Sequence, residues 1–406
     1  MIEPRIRGSI CMNAHPAGCV KEVKNQIETV RNAQFDERSG GAAGSPKNVL
    51  IIGGSTGYGL ASRIVSAFGY GAHTINVSFE REPAEKKSGT PGWYNNNAFD
   101  REANKNGLYA QTFHGDAFSH EMKNTIASLL EEKGLKIDLL IYSLASGIRP
   151  DPDTGETYRS VLKPIGSTYT TRSLNIMDGV ITQTSLEPAS REEIDATVKV
   201  MGGEDWDLWV KALKDRDLLA DGFTSLAYSY IGPEVTHAIY RSGTIGKAKE
   251  HLESTAKTLT KELQPLGGKA YVSINKAVVT RASSVIPAVP LYIGLLFSVM
   301  KEKELHEGCI EQMVRLFRDR LYSSNPVPTD GEGRIRVDDW EMREDVQKEV
   351  QDRWNRVNEK NVAELADLEG YREDFLRIHG FNVPGVDYTR EISYTELPEV
   401  PQGLHR

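Results

Sequence analysis

Between Tyr228 and Lys249 the chain reads YSYIGPEVTHAIYRSGTIGKAK, which places Tyr228, Tyr230, Tyr240, Lys247 and Lys249 close together. A phenol held beside an ammonium can stabilise a developing oxyanion and deliver a proton. The ammonium lowers the phenol's pKa and can also bind a ribose hydroxyl. The spacing leaves two pairings open. On one unbroken helix, residues seven apart nearly eclipse, whereas residues nine apart lie about 180° from each other. Tyr240 therefore meets Lys247 on a continuous helix. It meets Lys249 only if the helix breaks between them. Ser242-Gly243-Thr244 supplies a break, with a hydroxyl available to cap a new helix. Tyr228 and Tyr230, two apart near the end of an expected strand, share a face.

A second group of residues suits a dinucleotide. Gly53-Gly54-Ser55-Thr56-Gly57-Tyr58-Gly59 follows the apolar run NVLIIGG, Asn48 to Gly54. The spacing is GxxxGxG rather than GxGxxG, but the physics is similar. Glycines permit a tight turn and close approach of pyrophosphate, and the next helix offers its N-terminal amides. Glu80 ends the second expected strand, 21 residues after Gly59. A carboxylate there accepts from both ribose hydroxyls of NAD and repels the 2'-phosphate of NADP. Arg81 beside it weakens that discrimination. Asp116-Ala117 and Ser143-Leu144-Ala145-Ser146 end two further strands, where a carboxylate can reach adenine and small residues admit the cofactor.

The elements that position these groups alternate. Strands are expected at 73–80, 108–116, 137–146, 223–232 and 269–278, with helices at 58–68, 100–105, 120–133, 192–219 and 247–264. Continuous apolar strands alternating with helices imply βαβ units and a parallel sheet buried on both faces. Residues 81–97 read as a long loop, and 147–193 as a polar insertion of loops or short strands. Residues 283–321 read as one or two helices. The fold class is α/β, a Rossmann-type doubly wound parallel sheet with extra helices and loop insertions. We expect one large domain: an N-terminal extension at 1–47, mixed and polar, with a Gly/Ser/Pro-rich stretch from Ser39 to Pro46; a dinucleotide-binding half at 48–146; an insertion at 147–222; a catalytic and acyl-binding part at 223–330; and a C-terminal helical extension at 331–406.

Bulk properties exclude several classes. With 49 basic and 57 acidic side chains the formal charge is -8, which argues against a general nucleic-acid binder. Cys11, Cys19 and Cys309 are too few and too scattered for a disulfide framework, which suits a reducing cytoplasm. Cys11, His15 and Cys19 have neither a usual zinc spacing nor a fourth ligand, so no metal is expected. His114, His120 and His237 read as structural. The start, MIEPRIRGSICMN, lacks the apolar core and cleavage site of a signal peptide. The most apolar stretch, Val285 to Phe297, is too short to span a bilayer and contains Pro287 and Pro290. It is expected to be buried or cavity-lining, either as a slot for an apolar chain or as ordinary core packing. Arg281 and Lys276 are candidates to meet substrate phosphates.

The motifs CMNAHPAGC, GGSTGYGLASR, FGYGAHTINVSFE, GTPGWYNN, GDAFS, YSLAS, VKVMGGEDW, LAYSYIGPE, GTIGKAKEHLE and TRASSVIP resemble, over nearly the whole chain, the FabV-type family of trans-2-enoyl-CoA and enoyl-acyl-carrier-protein reductases, relatives of the short-chain dehydrogenases. That family pairs tyrosine and lysine as Tyr-x8-Lys, which matches Tyr240 and Lys249. The resemblance implies an NADH-dependent reductase that saturates the trans-2 double bond of enoyl-CoA or enoyl-acyl-carrier-protein, the last reductive step of fatty-acid elongation. It implies Tyr240 as proton donor and enolate stabiliser, and Lys249 as cofactor-binding and pKa-tuning residue. Tyr230 is implied at the substrate carbonyl. Gly53, Gly54, Ser55, Thr56, Gly57, Tyr58, Phe79, Glu80, Asp116, Ala117, Leu144, Ala145, Val278, Val279 and Thr280 are implied to line NADH. It further implies a monomer. Rival readings are another NAD(P)-dependent carbonyl or alcohol oxidoreductase on this scaffold, and a non-catalytic NADH-binding sensor.

Overall fold

The computed structural model describes residues 2–35, 45–286, 288–323 and 326–396. The expected Ser39–Pro46 stretch lies largely outside the described residues, as do Pro287 and the side chain of Val285.

The chain begins with a hairpin, β1 (Ile6–Arg7) and β2 (Ile10–Cys11), then helix α1 (Pro16–Asn32). There follow β3 (Asn48–Ile52), α2 (Gly57–Ile64), β4 (His73–Ser78), α3 (Pro91–Lys105), β5 (Ala110–His114), α4 (His120–Lys133) and β6 (Ile137–Tyr142). Two hairpins come next, β7 (Ile148–Pro150) with β8 (Thr157–Arg159) and β9 (Tyr169–Asn175) with β10 (Val180–Leu186). Then come α5 (Arg191–Met201), α6 (Glu204–Lys214), β11 (Leu219–Ser229), α7 (His237–Tyr240), α8 (Thr244–Glu262) and β12 (Lys269–Ile274). The chain closes with α9 (Val289–Glu302), α10 (Cys309–Leu316), β13 (Ile335–Arg336), α11 (Glu344–Arg356), α12 (Val362–Leu365) and α13 (Leu368–Arg377).

Seven parallel strands form one sheet in the order β13-β12-β11-β6-β3-β4-β5. Its alternate residues enter two cores. Val49, Ile51, Leu139 and Leu226 face α1, α2, α3 and α10. Leu50, Ile52, Leu140 and Ala227 face α4, α6 and α8. Strand order reverses between β3 and β6, so a crevice opens at their carboxyl ends, where doubly wound sheets bind ligands. A third core, built on α9, α11 and α13, lies beside that crevice and includes Tyr240.

Four expectations change. The first 47 residues are not merely polar, since α1 buries Val23, Ile27 and Val30 against the sheet. The expected loop at 81–97 ends early. Thr90 is extended and Pro91 opens α3, the position proline favours. The Asn95-Asn96-Asn97 run that looked loop-like is buried and hydrogen-bonded. The expected 192–219 helix is two helices. At Gly202 and Gly203 an added Cβ would fall 2.5 Å from the Val198 carbonyl oxygen and 2.2 Å from Thr255 Oγ1, so the chain turns there in tight contact with α8. Strand β11 ends at Ser229, leaving Tyr230 just beyond the ladder.

Candidate active site

The glycine loop after β3 is packed too tightly for side chains. Gly53 has φ +93°, and a Cβ there would lie 2.5 Å from the Ser143 carbonyl oxygen at the end of β6. A Cβ on Gly59 would lie 2.2 Å from the Gly53 carbonyl oxygen. The loop is held from beneath by asparagines. Asn76 Oδ1 accepts from Gly54 N at 2.9 Å, and Asn95 Nδ2 donates to the Ser55 carbonyl at 3.0 Å. Asn96 links Asn76 to Ser78 Oγ. Thr56, the residue before α2, makes no side-chain cap bond, so the first amides of α2 face the crevice. A cavity of about 170 Å³ adjoins them, lined in part by Thr56, Gly57, Val278, Val279 and Thr280. These features fit a dinucleotide diphosphate: a turn whose glycines let it fold closely on β6 and on itself, with Gly57 and the first amides of α2 at the rim of the cavity.

The other expected cofactor residues surround the same crevice. Glu80 accepts a hydrogen bond from Ser55 Oγ at 2.6 Å and lies 3.6 Å from the Arg281 guanidinium. Gly92 leaves it room, since a Cβ there would meet the carboxylate at 2.3 Å. Phe79 is 84% exposed, a free aromatic face beside the crevice. Asp116 Oδ1 accepts from Phe118 N at 2.9 Å, which rigidifies its own turn. The Ala117 carbonyl is fixed by Lys123 Nζ and Trp209 Nε1, each at 3.0 Å. Leu144 is half-buried and Ala145 exposed. The Tyr58 hydroxyl donates to the Lys276 carbonyl at 2.8 Å, which ties the start of α2 to the loop after β12.

The helix break between Tyr240 and Lys249 is present. Tyr240 ends α7, and α8 starts at Thr244. The cap differs from the expected hydroxyl. Gly243 is the cap residue, and Thr244 Oγ1 donates to the Val161 carbonyl at 2.5 Å. The break brings the Lys249 ammonium 5.9 Å from the centre of the Tyr240 ring, with a hydrogen bond to Ser229 Oγ at 3.1 Å. Lys247 points away, exposed and paired with Glu250 at 2.8 Å. Tyr230 crosses Tyr240 edge-on, ring centres 4.8 Å apart. Tyr228 packs elsewhere, its hydroxyl on Ser62 Oγ beneath α2.

The electrostatics also differ from the expectation of a lowered phenol pKa. Burial pushes the Tyr240 hydroxyl up, and nearby Tyr371 and Glu341 add to the shift. Burial lowers the Lys249 amine to about 7, partly opposed by Glu253. Desolvation is the largest cause of both shifts. Lys276 is not available to a substrate. It is 2% exposed, and its amine donates to the Ala277 and Glu307 carbonyls. Arg281 remains partly exposed at the crevice. The expected acyl slot is mostly core: Leu291, Tyr292, Ile293, Leu295 and Leu296 are wholly buried. Pro290 alone edges a small crevice of about 10 Å³ with Ser284, Tyr371 and Phe375.

Asn76, Asn95, Ser229 and Glu341 were not anticipated. The run Asn95-Asn96-Asn97 was the available signal for Asn95, since three asparagines in a row suit neither a helix interior nor a strand; no such run marked Asn76. Nothing local marked Glu341, whose partners are distant in the chain.

Three family profiles match the chain. They are described as the NAD(P)H binding domain of trans-2-enoyl-CoA reductase over residues 1–85, the trans-2-enoyl-CoA reductase catalytic region over 87–322, and an enoyl reductase FAD binding domain over 329–392. The last stretch does not fit a flavin dinucleotide. Its strand, β13, runs into Val337, Asp338, Asp339 and Trp340 rather than into glycines. Its Gly370 and Gly380 close against Asp367 and α1. Among relatives, the Flavobacterium johnsoniae enoyl-[acyl-carrier-protein] reductase [NADH] is 56% identical over 96% of each chain. The Treponema denticola trans-2-enoyl-CoA reductase [NADH] is 55% identical over 97% of this chain and 98% of its own. A crystal structure of the Treponema denticola enzyme in complex with NAD superposes with a TM-score of 0.94 at 53% identity, covering 98% of this chain and all of that one. The Clostridium acetobutulicum trans-2-enoyl-CoA reductase in complex with NADH gives 0.93 at 43% identity, with the same coverage. With profile, sequence and fold in agreement along nearly its whole length, the chain belongs to the trans-2-enoyl-CoA reductase family.

Proposed function

We propose that this protein reduces the trans-2 double bond of enoyl thioesters with NADH, and that Tyr240 is its proton donor. When bound, NADH supplies hydride to the β-carbon of the enoyl group, which moves negative charge onto the thioester oxygen. The chain's own residues manage that charge. The Tyr240 hydroxyl donates to the oxygen and provides the proton that ends on the α-carbon. Lys249 draws charge toward Tyr240 and holds the cofactor's ribose. Gly53 to Gly57 cradle the diphosphate, Glu80 takes the adenosine ribose, and Val278 to Thr280 line the nicotinamide end. Tyr230 contributes its ring as a wall of the substrate site.

One observation carries this reading. Tyr240 is 8% exposed, yet its hydroxyl has no hydrogen-bond partner among the described residues. A hydroxyl on a mostly buried ring that no protein group engages, open to solvent beside a half-buried amine and a dinucleotide crevice, is a donor that a ligand can reach. The carrier is CoA or acyl carrier protein; the relatives bear both names. We place the enzyme as a monomer, as the family resemblance implies, and in a reducing cytoplasm, which its three free cysteines support.

The test is turnover of NADH with crotonyl-CoA. Tyr240→Phe should lose about 10²-fold or more in kcat while still binding NADH. Wild-type turnover in that variant, or reduction of ketones but not crotonyl-CoA by the native protein, defeats the proposal.

A further inference from the structure

Glu341 reaches the site from the C-terminal segment, between β13 and α11, and is wholly buried. Its Oε1 accepts from the Tyr230 hydroxyl at 2.9 Å and from the Tyr292 hydroxyl at 2.6 Å. Its Oε2 accepts from Ala277 N at 2.7 Å. The carboxylate therefore ties together the end of β11, the acyl-side helix α9 and the loop that runs into Val278–Thr280. The direction of the Tyr292 bond is fixed. Gln347 Nε2 donates to that hydroxyl at 3.2 Å, which leaves its one proton for Glu341. An ionised carboxylate only accepts hydrogen bonds, and here three donors converge on one. Burial raises the Glu341 carboxyl's pKa, and the Tyr292 hydroxyl, the Lys276 ammonium and the Ala277 amide each oppose that by favouring the ionised form. A carboxylate so placed is costly to bury unless every donor is engaged.

The Tyr230 phenol also has one proton, and this arrangement spends it on Glu341. Tyr230 stands edge-on to Tyr240, ring centres 4.8 Å apart, so two phenols sit beside the same reacting position. We infer that Glu341 is a positioning residue of the reductase site: by accepting the Tyr230 proton it fixes that ring against Tyr240 and leaves Tyr240 as the phenol of the pair able to donate to the thioester oxygen. Tyr230 then meets the substrate through its ring and an acceptor lone pair, not as a hydrogen-bond donor. The inference rests on Tyr240 being the proton donor.

The experiment compares Glu341→Gln, Tyr230→Phe and the double variant, by steady-state reduction of crotonyl-CoA and by thermal melting. Glutamine keeps the size but turns an N–H toward a donor, either Ala277 N or a phenol. We expect kcat to fall about tenfold or more in Glu341→Gln, and Tyr230→Phe in that background to add less than about twofold, because both remove one link. Independent losses that multiply overturn the inference. So does a lowered Tm with kcat per folded enzyme unchanged, which a purely structural carboxylate would give. If Glu341→Gln does not fold, Tyr230→Phe decides alone. An unchanged KM for crotonyl-CoA supports the inference, since the ring is kept and no hydrogen bond donated to the thioester oxygen is lost, and a rise of about tenfold overturns it. Full turnover in Tyr240→Phe is a separate result that removes the function itself, whatever the Glu341 variants do.

Discussion

Replacing Lys249 with methionine separates its charge from its bulk. The lysine is half-buried, with its amine 5.9 Å from the centre of the Tyr240 ring. At that distance and an effective dielectric of about 20, an ammonium attracts a negative charge on the phenol by about 3 kcal/mol. If that charge develops only in the transition state, its loss lowers the rate by about a hundredfold. Lys247 offers a control of the same type. It is exposed and bound to Glu250 at 2.8 Å, so solvent screening leaves it worth under about 1 kcal/mol. The assay follows nicotinamide absorbance with NADH and crotonyl-CoA from about pH 6 to about pH 9. Burial lowers the Lys249 amine to about 7, so in the free enzyme it loses its charge as pH rises through that value. The expected kcat/KM of the wild type falls through the same window, and Lys249→Met removes that limb.

Stability should move the other way. Unfolded, the lysine keeps its proton up to about 10.4, while the folded amine releases it near about 7. Between these values the unfolded chain binds more protons, so wild-type stability rises with pH there, and the burial penalty is complete below about 7. Lys249→Met should therefore raise Tm, most below about pH 7, with the advantage shrinking toward about pH 10. A less active but more stable enzyme cannot owe its lost turnover to unfolding. Equal or greater loss in Lys247→Met, or full turnover in Lys249→Met, refutes the reasoning.

Two further variants probe the crevice. Glu80→Ala removes the carboxylate that Ser55 and Arg281 share, and frees Arg281 to meet a 2'-phosphate. The preference for NADH over NADPH, measured as a ratio of kcat/KM, should drop by about tenfold or more, equivalent to about 1.4 kcal/mol; an unchanged ratio counts against Glu80 at the ribose. Gly59→Ala drives a methyl to 2.2 Å from the Gly53 carbonyl, so the cradle must open. It should cost about 1–3 kcal/mol in stability and raise the KM for NADH. Gly331→Ala, with open space around the new methyl, should change stability by under about 0.5 kcal/mol in the same melts.

Much of the sheet was legible because buried parallel strands declare themselves as continuous apolar runs. NVLII and IDLLIY are strands as read, and the glycines after the first form the expected turn. The N-terminal helix was less legible. Beyond its first turn its buried face is Cys19, Val23, Ile27 and Val30 among many polar residues. Strand β13 has two residues and borrows its order from β12, so it left no pattern to read. The asparagines of α3 read as loop because their satisfaction depends on Ser55 and Ser78, far away in the chain.

At the site, spacing narrowed the choice to Tyr240 with Lys247 or Lys249, and resemblance favoured the second. The break at Gly243 and the burial of Lys249 depend on α8 packing against the sheet, which no local run of residues encodes. The same holds for pKa values. A lysine beside a tyrosine suggested a lowered phenol, but desolvation by the assembled core raises it instead. What the sequence by itself determined was the order of strands and helices and the identity of the chemical groups, since these follow from local pattern and side-chain type. Only the tertiary structure decided which amine faces the phenol, how charged it is, and that a carboxylate more than a hundred residues downstream holds Tyr230, because burial and long-range contact exist only once the chain has closed on itself.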